Sequence, residues 1–176
     1  MINQIRYTGI GSRNTPISIK QTVVDIAIYL AQEHSAILVS GGARGADSFF
    51  EEGADRGVGP KEIWLPELGF NKSKSKLLPS KNAFIVAQRY VDHWKSCGEF
   101  ARNAHARNCH QILGADLVTP VSFVICWTPG AMKVGGTATA LSIAEDHGIP
   151  ILNLADEKIG IDDISFFIEV NAGWPH

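Results

Sequence analysis

Short apolar runs, each stopping at a turn and followed by a stretch of helical periodicity, recur along this chain and restrict it to folds that cover a sheet on both faces. Ile5-Arg6-Tyr7-Thr8-Gly9-Ile10 reads as a first strand ending at Gly11-Ser12-Arg13. Thr15-Pro16 predicts a helix start, with Thr15 as cap and Pro16 in the first turn. Ile19, Val23, Ile26, Ala27, Leu30 and Ala31 then recur at helical spacing as far as His34. Ala36 to Val39 is wholly apolar, as a parallel strand buried on both faces must be, and it breaks at Ser40-Gly41-Gly42-Ala43-Arg44-Gly45. A second helix with Ala46, Phe49, Phe50 and Ala54 inward stops at Gly57. Lys61 to Pro66 reads as a third strand, followed by a polar, lysine-rich stretch to Lys81 and one long helical segment from Asn82 to Leu113. Val121 to Trp127 is the strongest strand, and Ile149 to Leu154 the last of the core. Between them a helix from Thr137 to His147 is stopped by Gly148 and Pro150. Ile161 to Val170 fits either a helix or an edge strand.

Strands alternating with helices predict an α/β chain: a single Rossmann-like domain with a mainly parallel sheet and helices on both faces. With 176 residues and 45% hydrophobic content, one domain is expected, its core at about 5–155 and a C-terminal extension at 156–176. Sixteen Lys and Arg against eighteen Asp and Glu exclude the global basic field of a non-specific nucleic-acid protein. No apolar run approaches the roughly 20 residues of a membrane span, so no membrane partner is expected. The opening MINQIRYTGIGSR lacks the charged-then-apolar pattern of a signal peptide. Cys97, Cys109 and Cys126 form no CxxC pair and cannot all pair with one another, which favours a reducing, cytoplasmic setting.

Three glycine-bearing turns fall where strands of such a sheet end, the edge at which α/β folds bind ligands. The first holds Gly9, Gly11, Ser12 and Arg13, and the second Ser40, Gly41, Gly42, Arg44, Gly45, Ala46 and Asp47. The third runs from Trp127, Thr128, Pro129 and Gly130 to Gly135, Gly136 and Thr137 at a helix start. Glycine admits close approach of a ligand to backbone amides, and a helix N-terminus favours an anion. Arg13 and Arg44 are the expected charge partners of a phosphate, and Trp127 a candidate to stack on a base. Each turn taken singly is also explained as a plain tight turn. GxGxxG fails at Asn14 and GxxxxGK[ST] is absent, so no P-loop chemistry and no resident cofactor are expected. Ser12 has no His/Asp pair nearby in sequence, which argues against a hydrolase triad.

TGIGSR, SGGARGAD, WTPG with GGTATA, and GIPILNL stand here in the order that resembles the SLOG superfamily. That superfamily unites the DNA-processing protein A (Smf) fold with the Lonely Guy phosphoribohydrolases. The chain looks most similar to its small stand-alone members, DNA-recombination-mediator-like proteins of phages and bacteria. The resemblance implies a domain that binds a nucleotide or nucleotide-derived ligand and pairs as a homodimer. Lonely Guy enzymes, N-glycosidases, carry a glutamate three residues after the threonine of their glycine motif. After Thr137 that place holds Ala140. Asp47 or Glu67 would have to supply the carboxylate, and Arg107 or Arg102 matches the family's helix arginine. The DNA-processing members imply single-stranded DNA as a partner, for which Lys72, Lys74, Lys76 and Lys81 are candidates, with a solvated loop as the plain alternative.

Two weaker patterns remain. His93 and Cys97 are four apart, as are His105 and Cys109, the spacing of shared helix faces and of zinc ligands. One straight helix would hold the two pairs about 18 Å apart. Ordinary packing and no metal are therefore expected, unless the chain turns near Gly98. The segment 82–113 is also more apolar than one helix on one sheet face needs, through Phe84, Ile85, Val86, Val91, Trp94, Phe100, Ile112 and Leu113. A subunit interface or an internally packed, bent helix pair would each account for it.

Overall fold

Alternation along the strands sorts the apolar side chains into two layers. Tyr7, Leu38, Phe123 and Ile125 join Val23, Leu30, Phe50 and Ile164 on one face; Ile10, Val39, Val124 and Cys126 join Ala83, Ala106, Ile112 and Ile143 on the other. The structure, a computed structural model, describes residues 4–173. The first three residues read above for a signal peptide, and the last three of the C-terminal extension, lie outside the described residues.

Among the described residues five strands form one parallel sheet in the order β3-β2-β1-β4-β5. They are β1 (Arg6–Gly11), β2 (Ile37–Ser40), β3 (Lys61–Ile63), β4 (Phe123–Trp127) and β5 (Ile151–Asn153). The first layer is covered by α1 (Lys20–His34), α2 (Ala46–Arg56) and α6 (Ile161–Ala172). The second is covered by α3 (Lys81–Ala87), α4 (Glu99–Leu113) and α5 (Ala138–Asp146). This is the α/β Rossmann-like architecture that the strand–helix alternation requires. The ambiguous tail segment is helix α6, and its Ile164 and Ile168 close the layer over Tyr7 and Phe123. No helix among the described residues is long and apolar enough to cross a membrane.

Two local expectations are corrected. Thr15 does not cap a helix. Its hydroxyl donates to the Ser12 carbonyl at 2.6 Å, and Pro16 precedes a single 3-10 turn, Ile17–Ile19, that leads into α1. The long helix over 82–113 is instead a hairpin of α3 and α4, interrupted by 3-10 turns at Gln88–Tyr90 and Trp94–Ser96. Gly98, in extended conformation, starts α4. Arg102 fastens the break: its Nε donates to the Trp94 carbonyl at 3.3 Å and its Nη2 to that of Lys95 at 3.0 Å, with the guanidinium over the Trp94 ring. Phe84, Val86, Tyr90 and Trp94 pack onto the second layer, so most of the apolar excess is used inside the chain rather than requiring a subunit partner.

His110 anchors this hairpin to the sheet. Its ring stacks on Trp64 with centroids 4.2 Å apart, Nε2 accepts from the Ser80 amide at 3.0 Å, and Nδ1 donates to the Gly114 carbonyl at 2.9 Å. That pattern suits the neutral ring, and burial lowers its pKa from 6.5. A base with a lowered folded pKa contributes stability in full above its unfolded pKa, and loses it as pH falls. Urea stability is therefore expected to decline as pH drops below 6.5, a slope shared with His34 and His105, whose pKa values are also lowered. His110→Gln is expected to flatten that slope; an unchanged slope would contradict this role for His110.

Candidate functional site

β1 and β4 are neighbours, but the chain leaves β1 towards β2 and leaves β4 towards β5. Loops after these two strands diverge and open a crevice at the carboxyl edge. A cleft of about 450 Å³ lies there, within the range of small-ligand sites. Its walls come from the 11–14 loop after β1, from Pro129 and Val134 to Thr137 before α5, and from the α4 face that carries Phe100, Ala101, Ala104, His105, Arg107 and Asn108. Asp47, in the first turn of α2, also reaches it.

Arg107 is the centre of this arrangement. Its side chain is 10% exposed, and Nη1 lies 3.8 Å from Asp47 Oδ2. With the Gln111 amide assigned so that its oxygen faces the donors, that oxygen accepts from Arg107 Nη1 at 3.0 Å and from the Gly41 amide at 2.9 Å, while its nitrogen donates to Asn108 Oδ1 at 2.8 Å. Asn108 Nδ2 in turn donates to the Gly136 carbonyl at 2.7 Å, linking α4 to the turn before α5. Arg107 Nε is buried and unpartnered. Burial lowers the Arg107 pKa and the Asp47 charge opposes that, while Arg13 on the same cleft lowers it further. Asp47 is pushed up by burial, against the opposing pull of Arg107 and of the Ala43, Gly11 and Gly41 amides. His105 is pushed down by burial and by the charges of His93 and Arg107.

Eight of the turn residues singled out from sequence line the cleft: Gly11, Ser12, Arg13, Asp47, Pro129, Gly135, Gly136 and Thr137. The others lie elsewhere, each for a physical reason. Two amides of the second turn are already engaged: that of Ala43 donates to the Asp47 carboxylate at 3.3 Å, as does Gly11 of the first turn at 3.1 Å, and that of Gly41 points into the same network. Arg44, the expected phosphate clamp, is exposed and outside the cleft; Arg107 occupies the position beside Arg13. Gly42 faces a separate depression with Asn71 and Lys72, while Gly45 and Ala46 dock on the first loop through the Ala46 amide to the Ser12 carbonyl. Ser40 is buried and donates to the Gly9 carbonyl at 2.6 Å, and a Cβ on Gly9 would stand 2.5 Å from the Phe50 ring. Trp127 packs on the first layer rather than in the cleft, Thr128 is buried against Asn153, and Gly130 is exposed beyond the wall. The aromatic that does line the cleft is Phe100, paired with Phe70 at 5.8 Å. Of the two helix arginines, Arg102 belongs to the hairpin break and Arg107 to the cleft.

No family model matches the sequence, and no curated protein matches it. Solved structures match in shape. DNA processing protein A from Helicobacter pylori, described for its single-stranded DNA binding mode, aligns over 96% of this chain and 74% of its own, at 18% identity and TM-score 0.54. DprA from Streptococcus pneumoniae aligns over 96% of this chain and 59% of its own, at 16% identity and TM-score 0.51. The molybdenum cofactor carrier protein from Chlamydomonas reinhardtii aligns at 19% identity with TM-score 0.49. The likeness is one of fold: this chain has the Rossmann-like architecture of DNA processing protein A, as its motif order implies.

Gly41 has a specific task here, because a Cβ would fall 1.3 Å from Arg107 Nη1. Gly41→Ala is expected to cost about 1–3 kcal/mol in urea unfolding by unseating the guanidinium. In an Arg107→Ala background at least half of that cost should vanish, since coupled neighbours are non-additive. Equal costs in both backgrounds would show that Gly41 does not accommodate Arg107.

Proposed function

We propose that the chain binds a mononucleotide, or a nucleotide-derived phosphate ligand, in the Arg107 cleft without hydrolysing it. The observation that carries this reading is the pairing of Arg107, nine-tenths buried with an unpartnered Nε, with Arg13 on one cleft. Asp47, the acid on the same cleft, already accepts backbone amides. An incoming phosphate therefore meets a site with a surplus of donors, and charge-assisted bonds to guanidinium are the strong ones. Gly135 to Thr137, ahead of α5, add helix N-terminal amides on the same side. Phe100, 40% exposed, offers a face for a base.

The competing readings have less support. Ala140, at the place of the Lonely Guy glutamate, is buried in the core. Asp47 would have to release the Gly11 and Ala43 amides before acting as an acid or base in N-glycosidic hydrolysis. Single-stranded DNA draws support only from the fold, because Lys72 and Lys74 share their depressions with Glu51, Glu52 and Asp55. A reducing cytosol, which holds such nucleotides, is the proposed setting.

Titration calorimetry with nucleoside 5′-monophosphates and the matching nucleosides tests the proposal. Losing one charge-assisted contact of about 1.5–3 kcal/mol predicts at least about tenfold weaker binding for Arg107→Ala and for Arg13→Ala. Arg44→Ala should bind like the wild type. Release of free base would favour the hydrolase reading. Binding of single-stranded DNA alone, falling steeply with salt, would overturn the nucleotide reading in favour of the lysine loop.

A further inference from the structure

The hairpin break at Gly98 brings His105 to His93 and Cys97, a pair from which a straight helix would hold it apart. One ligand atom each from His93, Cys97 and His105 lies within 4.8 Å of the other two. Cys109, the fourth residue of the sequence pattern, is excluded: it is buried, and its thiol faces the carbonyls of Ala83 and His105. We propose that His93, Cys97 and His105 form a three-ligand site for a divalent cation of the zinc class, with its fourth position open beside the cleft.

Donor type and geometry carry this assignment. Two imidazoles and a thiolate suit zinc and its neighbours, whereas magnesium and calcium take oxygen ligands. Zinc bonds of about 2.0–2.1 Å to nitrogen and 2.3 Å to sulfur place tetrahedral ligand atoms about 3.3–3.6 Å apart. Closing from 4.8 Å takes about 1 Å of side-chain movement, and none of the three residues is locked in the core: His93 is exposed, Cys97 and His105 half-buried. The surroundings are already arranged. Thr139 Oγ1 engages His105 Nδ1 at 2.8 Å, which leaves Nε2 as the nitrogen free to ligate, the outer-shell pattern common for metal-bound histidine. Arg102 pins the Trp94–Ser96 turn to α4, holding Cys97 opposite His105. Three protein ligands leave one tetrahedral position for water or a ligand oxygen, and His105 itself lines the cleft. The cation would add a third positive centre beside Arg13 and Arg107.

The test uses the untagged 176-residue chain, stripped with chelator under reducing conditions and titrated with cobalt(II), then zinc(II), with no nucleotide present. The expected result is one cobalt per chain, with the visible bands of tetrahedral cobalt and a thiolate charge-transfer band, both removed by zinc. Cys97→Ser should abolish the charge-transfer band. His105→Gln should weaken cobalt binding by at least about tenfold. Cys109→Ala should leave spectrum and stoichiometry unchanged. Absence of cobalt binding, or a charge-transfer band that survives Cys97→Ser, would overturn the proposal whatever the cleft binds.

Discussion

A buried guanidinium with too few partners is the constraint around which the carboxyl edge of this protein is arranged. Arg107 enters from α4, passes over Gly41 where no side chain fits, and meets Asp47 at 3.8 Å, too far for a tight ion pair. Removing a full charge from water is costly unless it is paired and hydrogen-bonded. Gln111 supplies part of that compensation, and the Thr8 hydroxyl holds the Gln111 carbonyl at 2.5 Å, tying α4 to the central strand. What remains unsatisfied, the Nε of Arg107, belongs to a residue on the cleft.

The same economy explains Asp47. Its carboxylate is enclosed, and it gathers amides from β1 and from the loop after β2 while facing Arg107. One side chain thereby joins two glycine turns and orients the cation beside them. Glycine at 41 and acid at 47 are parts of one device for holding Arg107. The turn before α5, Gly135 to Thr137, lines the same cleft.

Much of the fold was legible from residues alone. Wholly apolar runs such as Leu38-Val39 and Phe123–Cys126 can be satisfied only by cover on both faces, and the two layers provide it. The site was legible by position but not by partner. Sequence spacing marks the strand ends, yet it does not show that α4 crosses over them, so Phe100 stood out only as part of an apolar excess, His105 only as part of a histidine–cysteine pattern, and Arg107 through family likeness. Arg44 and Trp127 lie off this cleft, because glycine turns fix where a loop lies, not which way its neighbours point. The hairpin at 88–98 was open in sequence, where the apolar excess of 82–113 fitted either a subunit interface or a bent helix pair, and Arg102 bonding back to two carbonyls shows the break. Gly98 was the residue at which a turn would join the two histidine–cysteine pairs, and the turn there gathers three of those four side chains.

The central claim is that the spare donor of Arg107 is for an anionic ligand. Nitrogen-15 NMR of the arginine Nε–H groups, recorded while a nucleoside 5′-monophosphate is titrated in, observes that donor directly. The Arg107 Nε–H resonance should move and gain protection from exchange in step with binding, together with amides of Gly135 to Thr137. Saturable binding with Arg107 unmoved, and shifts confined to the loop from Lys72 to Lys81, would contradict it.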